Sequence, residues 1–193
     1  MAIPSYTHGN PLVRWLMWRR YEAVAALAGF TRNDTVLEFG CGIGVFLPEL
    51  DRTCKAVFAI DLFPEYAKHL AAGLGLNTRF SDRLSDLPDG SIDAVVAADV
   101  LEHFEEGELD AVLSEFHRIL TPRGRLVVSG PTENALYRAG RILAGFFGKG
   151  LYHHSNIRLI LSRIEANGYT VRNRRQIPFS FMPPLFIAAE CEK

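Results

Sequence analysis

The chain has 193 residues, of which 48% are hydrophobic and 22% are charged, and its formal net charge at pH 7 is −1. This length and composition suit a single globular domain and exclude a disordered or low-complexity chain. No run approaches the roughly 20 apolar residues that cross a membrane, and residues 1–10 lack the pattern of a signal peptide, so we expect neither feature.

Residues 11–27 have the apolar spacing of a helix that is also rich in tryptophan and arginine. Its aromatic and basic side chains are Arg14, Trp15, Trp18, Arg19 and Arg20. Two interpretations stay open: this helix binds a partner or an anionic membrane surface, or it packs its apolar face on the rest of the protein. We expect residues 1–30 to form an N-terminal helical segment that packs on or caps the functional site.

A short apolar strand followed by three closely spaced glycines is the most informative feature of the sequence. It reads VLEFGCGIG over residues 36–44. Gly40, Gly42 and Gly44 let the backbone turn sharply and approach a ligand, because glycine has no Cβ. Residues 43–50 are expected to continue as a helix. Strand, glycine turn and helix together are typical of a site for a nucleotide-type cofactor.

The spacing of the glycines narrows the choice of cofactor. A dinucleotide site of the G-x-G-x-x-G type needs its third glycine at position 45, where this chain has Val45. The pattern E-x-G-x-G-x-G, which begins at Glu38, resembles instead the first motif of class I S-adenosylmethionine-dependent methyltransferases of the small-molecule, type 11-like group. The resemblance implies that S-adenosyl-L-methionine is the cofactor. It assigns cofactor binding in this loop to Glu38, Gly40, Cys41, Gly42 and Gly44.

The three cysteines of the chain are Cys41, Cys54 and Cys191. They have no metal-ligand spacing and form no even set for disulfides, so we expect a reducing, cytoplasmic location. Cys41 lies inside the glycine loop. Its role there is either that of a small side chain that fits the turn or that of a catalytic thiol.

Asp61 stands at the end of a second predicted strand, residues 55–61. A carboxylate at this point of a doubly wound fold accepts hydrogen bonds from both ribose hydroxyls of a nucleoside. The alternative role is the N-cap of the helix that opens at Pro64, and one side chain can fill both roles. By the resemblance, Asp61 and Leu62 belong to the cofactor site.

Two further strands are predicted to end in acidic residues. The third, residues 77–82, ends in Asp82, and the resemblance assigns this carboxylate and Arg83 to the neighbourhood of the adenine ring. The fourth, residues 92–98, is an apolar run with Asp99 at its carboxyl end, where the resemblance places the methionine half of the cofactor. Ligands of open α/β sheets bind outside the carboxyl ends of the strands, so these strand ends predict one crevice.

The remaining elements complete an α/β fold. They are a helix over 105–120, a strand over 125–129, a helix over 157–167 and two strands over 169–177 and 185–192. These elements bring the number of strands to seven, and the resemblance implies a Rossmann-like, doubly wound sheet that is mostly parallel with an antiparallel last strand. The resemblance implies that the methyltransferase domain spans residues 31–193.

Residues 132–156 follow the fifth strand and depart from the minimal fold of the family. Their apolar residues alternate with Arg138, Arg141 and Lys149 at the spacing of an amphipathic helix with a basic flank. Methyltransferases of this type often carry substrate-recognition insertions here. Such a helix can close over a substrate or lie on a membrane surface. We then expect an acceptor that is anionic or lipid-linked, or peripheral contact with an anionic membrane. The alternative is that the segment packs on the core.

Three histidines are placed to act as a general base. They are His103, after the fourth strand, and His153 and His154, in the loop before the next helix. Methyl transfer needs a base only where the acceptor carries a proton, and histidine titrates near neutral pH. The alternative for His103 is a role in helix capping or packing. The alternative for His153 and His154 is a position in a loop without a function. Two adjacent histidines without a third ligand or a nearby acid argue against a metal ion, so we expect none.

The acceptor is the least determined part of the function. Residues 100–104, VLEHF, and 122–129, PRGRLVVS, are similar to small-molecule methyltransferases of the type found in ubiquinone and menaquinone biosynthesis. We expect no nucleic acid, because residues 99–102 lack the Asp/Asn-Pro-Pro-aromatic motif of base-directed N-methyltransferases. The main hypothesis is in-line methyl transfer to a small or lipid-linked acceptor. The alternative is a non-catalytic, methyltransferase-like module that binds a partner or a membrane surface.

Overall fold

The computed structural model describes residues 5–144 and 153–193. The helices are α1 (Pro11–Ala28), α2 (Leu47–Thr53), α3 (Glu65–Leu74), α4 (Glu106–Ile119), α5 (Ala135–Leu143) and α6 (Ile157–Ala166). The strands are β1 (Thr35–Phe39), β2 (Ala56–Ile60), β3 (Arg79–Phe80), β4 (Ile92–Ala98), β5 (Leu120–Pro131), β6 (Thr170–Ile177) and β7 (Phe186–Glu192). Short 3₁₀ turns span Ser5–Thr7, Leu84–Asp86 and Leu101–His103.

Within the described residues, seven strands form one sheet in the order β3-β2-β1-β4-β5-β7-β6. Strands β1 to β5 are parallel, and β7 runs antiparallel to both β5 and β6. The register puts Glu38 of β1 beside Ala59 of β2 and Val96 of β4, so the carboxyl ends of the central strands lie at one edge. This arrangement confirms the predicted doubly wound fold with an antiparallel last strand.

Apolar side chains cover both faces of the sheet, because parallel strands in such folds are buried on both sides. Two successive residues of β4 show the alternation. Val95 joins the cluster that packs on α4 and α6, whereas Val96 joins the cluster that packs on α1 and α2. Both side chains are fully buried. The helices therefore pack on both faces of the sheet, and the loops at its carboxyl edge are anchored to this packed core.

The helix after the glycine loop begins later than we predicted. The sequence favoured a helix over 43–50, but α2 begins at Leu47. Gly44 has a φ of 82°, outside the helical region, and its N–H donates to the carbonyl of Cys41 at 2.8 Å. Turns therefore occupy residues 41–46, and the loop backbone stays at the carboxyl edge of the sheet.

The third and fifth strands also differ from their predicted lengths. Only two residues form β3, rather than 77–82, because the chain turns where the Ser81 hydroxyl donates to Asp86 Oδ2 at 3.1 Å. The strand predicted over 125–129 is longer, since Leu120 already pairs with β4 before the chain bulges and rejoins the ladder.

Helix α1 packs against β5, β6 and β7. Met17 and Val24 are buried in the core beneath it, whereas Trp15 and Trp18 are 42% and 44% exposed. Packing on the core, one of the two interpretations of this helix, is therefore observed. The exposed tryptophans leave the binding of a partner as a proposal.

The predicted insertion over residues 132–156 contains α5. The side chain of Asn134 caps this helix by accepting the N–H of Tyr137 at 2.8 Å. Residues 145–152, which include Lys149 of the predicted basic flank, lie outside the described residues. Among the helices that the structure describes, none is long and apolar enough to cross a membrane.

Candidate active site

The glycine loop is packed tightly at one glycine and open at another. The N–H of Gly40 donates to the carbonyl of Ile60 at 2.8 Å, which ties the loop to β2. A Cβ on Gly40, whose φ is 77°, would lie 2.5 Å from Cγ2 of Val100, so only glycine fits. A Cβ on Gly42 would meet no atom within 4 Å. The backbone at Gly42 is therefore accessible to a ligand.

Asp61 is held by the backbone at the end of β2. Its Oδ2 accepts the N–H of Gly42 at 2.7 Å, and its Oδ1 accepts the N–H of Phe63 at 2.9 Å. Pro64 is the N-cap of α3 and no side chain caps that helix, so the capping alternative for Asp61 is wrong. Each carboxylate oxygen keeps a further lone pair. Asp61 is thus oriented and still able to accept hydrogen bonds from a ligand.

Three other predicted cofactor residues lie at the surface: Leu62, Asp82 and Arg83. Leu62 is 90% exposed. The turn after β3 is fixed by Asp86 rather than Asp82, because Asp86 Oδ2 accepts the N–H of Arg83 at 3.2 Å. These side chains lie outside the lining of the two cavities described next, and their role stays a prediction.

A cavity of about 170 Å³ lies against the glycine loop. Its lining includes the predicted residues Glu38, Gly40, Cys41, Gly42 and Asp99. The N-terminal segment adds Tyr6, Arg20 and Tyr21. Gly44 serves close packing instead, since a Cβ there would lie 3.1 Å from Ala67 of α3. We call this space the glycine-loop cavity; the strand ends form one part of its wall and the N-terminal segment another.

Three carboxyl groups around the cavities have a buried oxygen with no hydrogen-bond partner among the described residues: Glu38, Asp99 and Glu102. Burial, and next the charge of Asp61, raise the pKa of Glu38 to about 8. Burial, and next the charge of Asp99, raise the pKa of Glu102 to about 8. Burial also raises the pKa of Asp99, and Arg20 opposes that shift. Buried carboxyl groups without enough positive partners favour a ligand that brings positive charge.

Arg20 of α1 forms an ion pair with Asp99, in which Nε lies 2.6 Å from Oδ2. The guanidinium carbon lies 4.8 Å from the ring centre of Phe186, a cation–π distance. Asp99 has a φ of 54°, and its N–H donates to the carbonyl of Ser129 at 2.9 Å. Sequence reasoning grouped Arg20 with the interface residues, but the side chain is turned into the protein. Its helical spacing from the apolar Met17 was the signal that could have placed it there.

A second cavity, of about 650 Å³, shares Arg20 and Asp99 with the first. Much of its lining is apolar or aromatic: Leu12, Val13, Trp15, Leu16, Met17, Tyr137, Leu185 and Phe186. Its polar lining includes Glu102, His103 and His153. A mostly apolar space with a few polar groups is typical of a small-molecule site. We call it the apolar cavity.

The structure brings His103 and His153 together although they are far apart in sequence. Their ring centres are 5.1 Å apart, and His153 Nδ1 lies 2.7 Å from Glu133 Oε1. His154 has an exposed side chain outside the described lining, and its backbone N–H donates to the carbonyl of Glu102 at 2.8 Å. Sequence reasoning missed both glutamates. The adjacency of Glu102 to His103 was a usable signal, whereas nothing in the sequence pairs Glu133 with His153.

Cys41 is buried in the glycine loop and is not suited to act as a nucleophile. Burial, and next the charges of Glu38 and Asp61, raise the pKa of its thiol. A thiol that stays protonated is a poor nucleophile. The structure therefore favours the other interpretation of Cys41, a small side chain that fits the turn.

Known sequences match the central part of the chain. The family model described as a methyltransferase domain matches residues 37–128. A ubiquinone biosynthesis O-methyltransferase of Xanthomonas oryzae pv. oryzae is 31% identical over 133 residues, which cover 63% of this chain and 55% of that protein. A demethylmenaquinone methyltransferase of Tropheryma whipplei is 30% identical over 131 residues, which cover 64% of this chain and 53% of that protein. The chain spans about half the length of these curated relatives.

Solved structures share the fold over almost the whole chain. The magnesium protoporphyrin IX methyltransferase of Synechocystis, crystallised with S-adenosylhomocysteine, superposes with a TM-score of 0.73 at 20% identity. The superposition covers 97% of this chain and 90% of that one. At this level of identity the likeness establishes the fold.

Proposed function

We propose that the protein is an S-adenosylmethionine-dependent methyltransferase of a small or lipid-linked acceptor, because residues 37–128 match the family model of a methyltransferase domain. The observation that carries the proposal is the contact of two cavities at Arg20 and Asp99. One cavity lies at the glycine loop, and the other is an apolar space of the size of a small-molecule site. Direct group transfer needs a donor site and an acceptor site that adjoin in this way.

The residues around the glycine-loop cavity fit S-adenosylmethionine. When bound, this cofactor supplies a methyl group on a positively charged sulfur, and it also carries an ammonium group. Glu38 and Asp99 offer buried oxygens without partners, which complement positive charge. Asp61, held by the N–H of Gly42, keeps lone pairs for the ribose hydroxyls. We assign the remaining predicted residues to the open adenine end: Leu62, Asp82 and Arg83.

We propose an acceptor with an apolar body. Trp15 lines the apolar cavity and lies 5.7 Å from Phe179, centre to centre, and Phe179 stacks on Phe181 at 5.1 Å. Phe181 is 84% exposed. These rings lead from the cavity to the surface and suit an apolar tail that extends outward. The names of the two quinone-biosynthesis relatives support the same class of acceptor.

The charges around this cavity suit a neutral hydroxyl on the acceptor better than an anion. Among the described lining residues, Arg20 is paired with Asp99 at 2.6 Å, and Arg141 lies 3.9 Å from Glu133. Both cations are therefore compensated, and Glu102 adds a further acid. We propose a neutral acceptor in place of the anionic one that the sequence suggested.

His103 and His153 are the groups that we assign to accept the hydroxyl proton. The Glu133 carboxylate accepts from Nδ1 of His153, which leaves the lone pair on Nε2. A well-placed base contributes about 10²–10⁴-fold in rate. Alignment of the reactants by the cavity walls contributes more, up to about 7–11 kcal/mol of the barrier. We leave His154 out of this assignment because its side chain is exposed.

A second candidate function rests on the exposed tryptophans of α1. It is a non-catalytic module that binds a protein partner or a membrane surface. The arginines that an anionic surface needs already have partners: Arg14 with the His8 carbonyl, Arg19 with Glu22 and Arg20 with Asp99. We therefore favour the enzyme and expect no nucleic-acid partner. The buried free cysteines support a reducing, cytoplasmic location.

A transfer assay tests the proposal directly. The protein is incubated with S-adenosylmethionine labelled in the methyl group and with catechols and hydroquinones that either carry or lack a prenyl tail. We expect label in at least one ring hydroxyl, with a preference for tailed acceptors. Binding of S-adenosylhomocysteine without transfer to any member of the panel would contradict the proposed acceptor class.

A further inference from the structure

Glu102, His103 and His153 form a compact cluster on the wall of the apolar cavity. One ligand atom of each side chain lies within 4.8 Å of the ligand atoms of the other two. Glu102 and His103 come from the 3₁₀ turn after β4, and His153 precedes α6. The sequence argued against a metal because His153 and His154 lacked a third ligand and an acid. The fold supplies both, because it brings His103 and the acid Glu102 to His153, whereas His154 lies outside the cluster.

Glu102 gives an independent indication that this cluster holds a ligand. The residue is 2% exposed, and its Oε2 has no hydrogen-bond partner among the described residues. A buried carboxyl oxygen without a partner costs free energy unless a donor or a cation satisfies it. A cation beside Glu102 would remove that cost, because it allows the carboxylate to be charged.

His153 has the support that metal-binding imidazoles usually have. Its Nδ1 lies 2.7 Å from Glu133 Oε1, so the carboxylate accepts the Nδ1 proton and the Nε2 lone pair is available. A carboxylate behind an imidazole fixes the tautomer and the ring orientation and makes the nitrogen a better ligand. Glu133 has a φ of 51°, a backbone conformation that non-glycine residues rarely adopt. The backbone of Glu133 therefore adopts an uncommon conformation at the point where its carboxylate supports His153.

We propose that Glu102, His103 and His153 bind a divalent transition-metal ion of the Zn²⁺ class. Two imidazole nitrogens and one carboxylate oxygen suit Zn²⁺ better than Mg²⁺ or Ca²⁺, which prefer oxygen ligands alone. Three protein ligands leave a coordination position open. All three side chains line the apolar cavity, so the open position faces that space.

The distances require a small contraction of the cluster. Ligand atoms about 2.1 Å from a tetrahedral metal lie about 3.4 Å from one another. Since the ligand atoms lie within 4.8 Å of one another, a separation shortens by at most about 1.4 Å when the ion binds. Side-chain rotation of His103, which is exposed, can provide a movement of this size.

The metal would also act on the acceptor, and this consequence alone rests on the proposed function. A hydroxyl oxygen bound at the open position would have a lowered pKa and would lose its proton to water near neutral pH. The charge of the ion would then replace the imidazole base in generating the nucleophile. Binding of the metal itself requires neither the cofactor nor an acceptor.

Metal binding is measured on the full chain after treatment with a chelator, in the absence of S-adenosylmethionine. Calorimetry with ZnCl₂ should show one equivalent bound, and Co²⁺ should give a visible absorption band without thiolate charge transfer. Glu102→Gln and His153→Ala should each weaken Zn²⁺ binding at least tenfold. Glu133→Gln should weaken it by about 10–100-fold, because that residue positions a ligand.

His154→Ala is the matched control, since this neighbouring histidine is exposed and lies outside the cluster. It should bind Zn²⁺ like the wild type. Equal binding by the wild type, Glu102→Gln and His153→Ala would overturn the proposal, as would the absence of Zn²⁺ binding at micromolar concentration. Circular dichroism of each variant confirms that it is folded. S-adenosylhomocysteine binding is measured separately, so loss of the metal site leaves the proposed methyltransferase testable.

Discussion

Arg20 Nε lies 2.6 Å from Asp99 Oδ2, where α1 meets the end of β4. The two side chains are 11% and 14% exposed, and both line the glycine-loop cavity and the apolar cavity. The family match covers residues 37–128, so α1 lies outside it. The N-terminal helix nevertheless contributes a charge to the wall that the proposed cofactor and acceptor sites share.

Replacement of Arg20 should destabilise the protein strongly. Arg20→Met leaves Asp99 in a buried position without its cation. We expect a loss of about 3–5 kcal/mol in the free energy of unfolding, measured by urea denaturation. Arg19→Met is the control, because its pair with Glu22 is exposed and should change stability by less than about 1 kcal/mol. Equal stability of the two variants would contradict a structural role for the Arg20–Asp99 pair.

Gly40→Ala should damage the glycine loop. The new Cβ would lie 2.5 Å from Cγ2 of Val100, at a φ of 77° that alanine rarely adopts. We expect a loss of at least about 1–2 kcal/mol of stability from the backbone alone, seen as a lower melting temperature. Gly73→Ala in α3 meets no atom within 4 Å and should instead raise stability by about 0.5–1 kcal/mol.

Stability without ligand should fall as the pH rises, because Glu38 holds its proton more tightly in the folded state. Burial raises its pKa from 4.5 to about 8. Between these values the folded state binds more protons than the unfolded state, so the free energy of unfolding decreases with pH. Glu38→Gln should reduce the slope of this dependence in urea titrations between about pH 5 and about pH 8, and Glu102, whose pKa burial also raises to about 8, should account for the slope that remains. Glu165→Gln, whose side chain is 52% exposed, should retain the wild-type slope.

Trp15→Ala should impair the use of acceptors with an apolar tail. Trp15 lines the apolar cavity and contacts Phe179, whereas Trp18, similarly exposed, lies outside the described lining. We expect Trp15→Ala to raise KM for a prenylated acceptor about tenfold, equivalent to ~1.4 kcal/mol, with little effect on a tail-free analogue. Trp18→Ala should not discriminate between the two acceptors. The same change of KM for both acceptors in Trp15→Ala would count against a tail-binding role.

The framework of the fold was predictable from local patterns. The glycine loop and the acidic residues Asp61 and Asp99 follow apolar strands, and parallel strands carry their ends to the same edge. The start of α2 was misplaced because the sequence does not show that Gly44 adopts a positive φ. Hydrophobic periodicity alone therefore predicts the start of a helix poorly where a preceding glycine adopts a positive φ.

The pairing of distant side chains was not predictable. In the sequence, Arg20 lies in one helix with two tryptophans and other arginines. Only the packing of that helix on the sheet directs the Arg20 side chain toward Asp99. His153 and Glu133 belong to different loops, so their contact at 2.7 Å depends on tertiary structure. The sequence pattern assigns each of these residues to a helix, strand or loop, but tertiary packing determines which of their side chains are in contact.

Calorimetric titration with S-adenosylhomocysteine tests the central claim most directly. We predict binding by the wild type and weakening of more than tenfold in Asp61→Ala and Asp61→Asn, because charge-assisted hydrogen bonds to the ribose are lost. Glu165→Ala should bind normally, because Glu165 belongs to an exposed ion pair with Arg174 and lies outside the lining of both cavities. No binding at millimolar ligand, or equal binding by the Asp61 variants, would contradict the assignment of the glycine loop and Asp61 as the cofactor site.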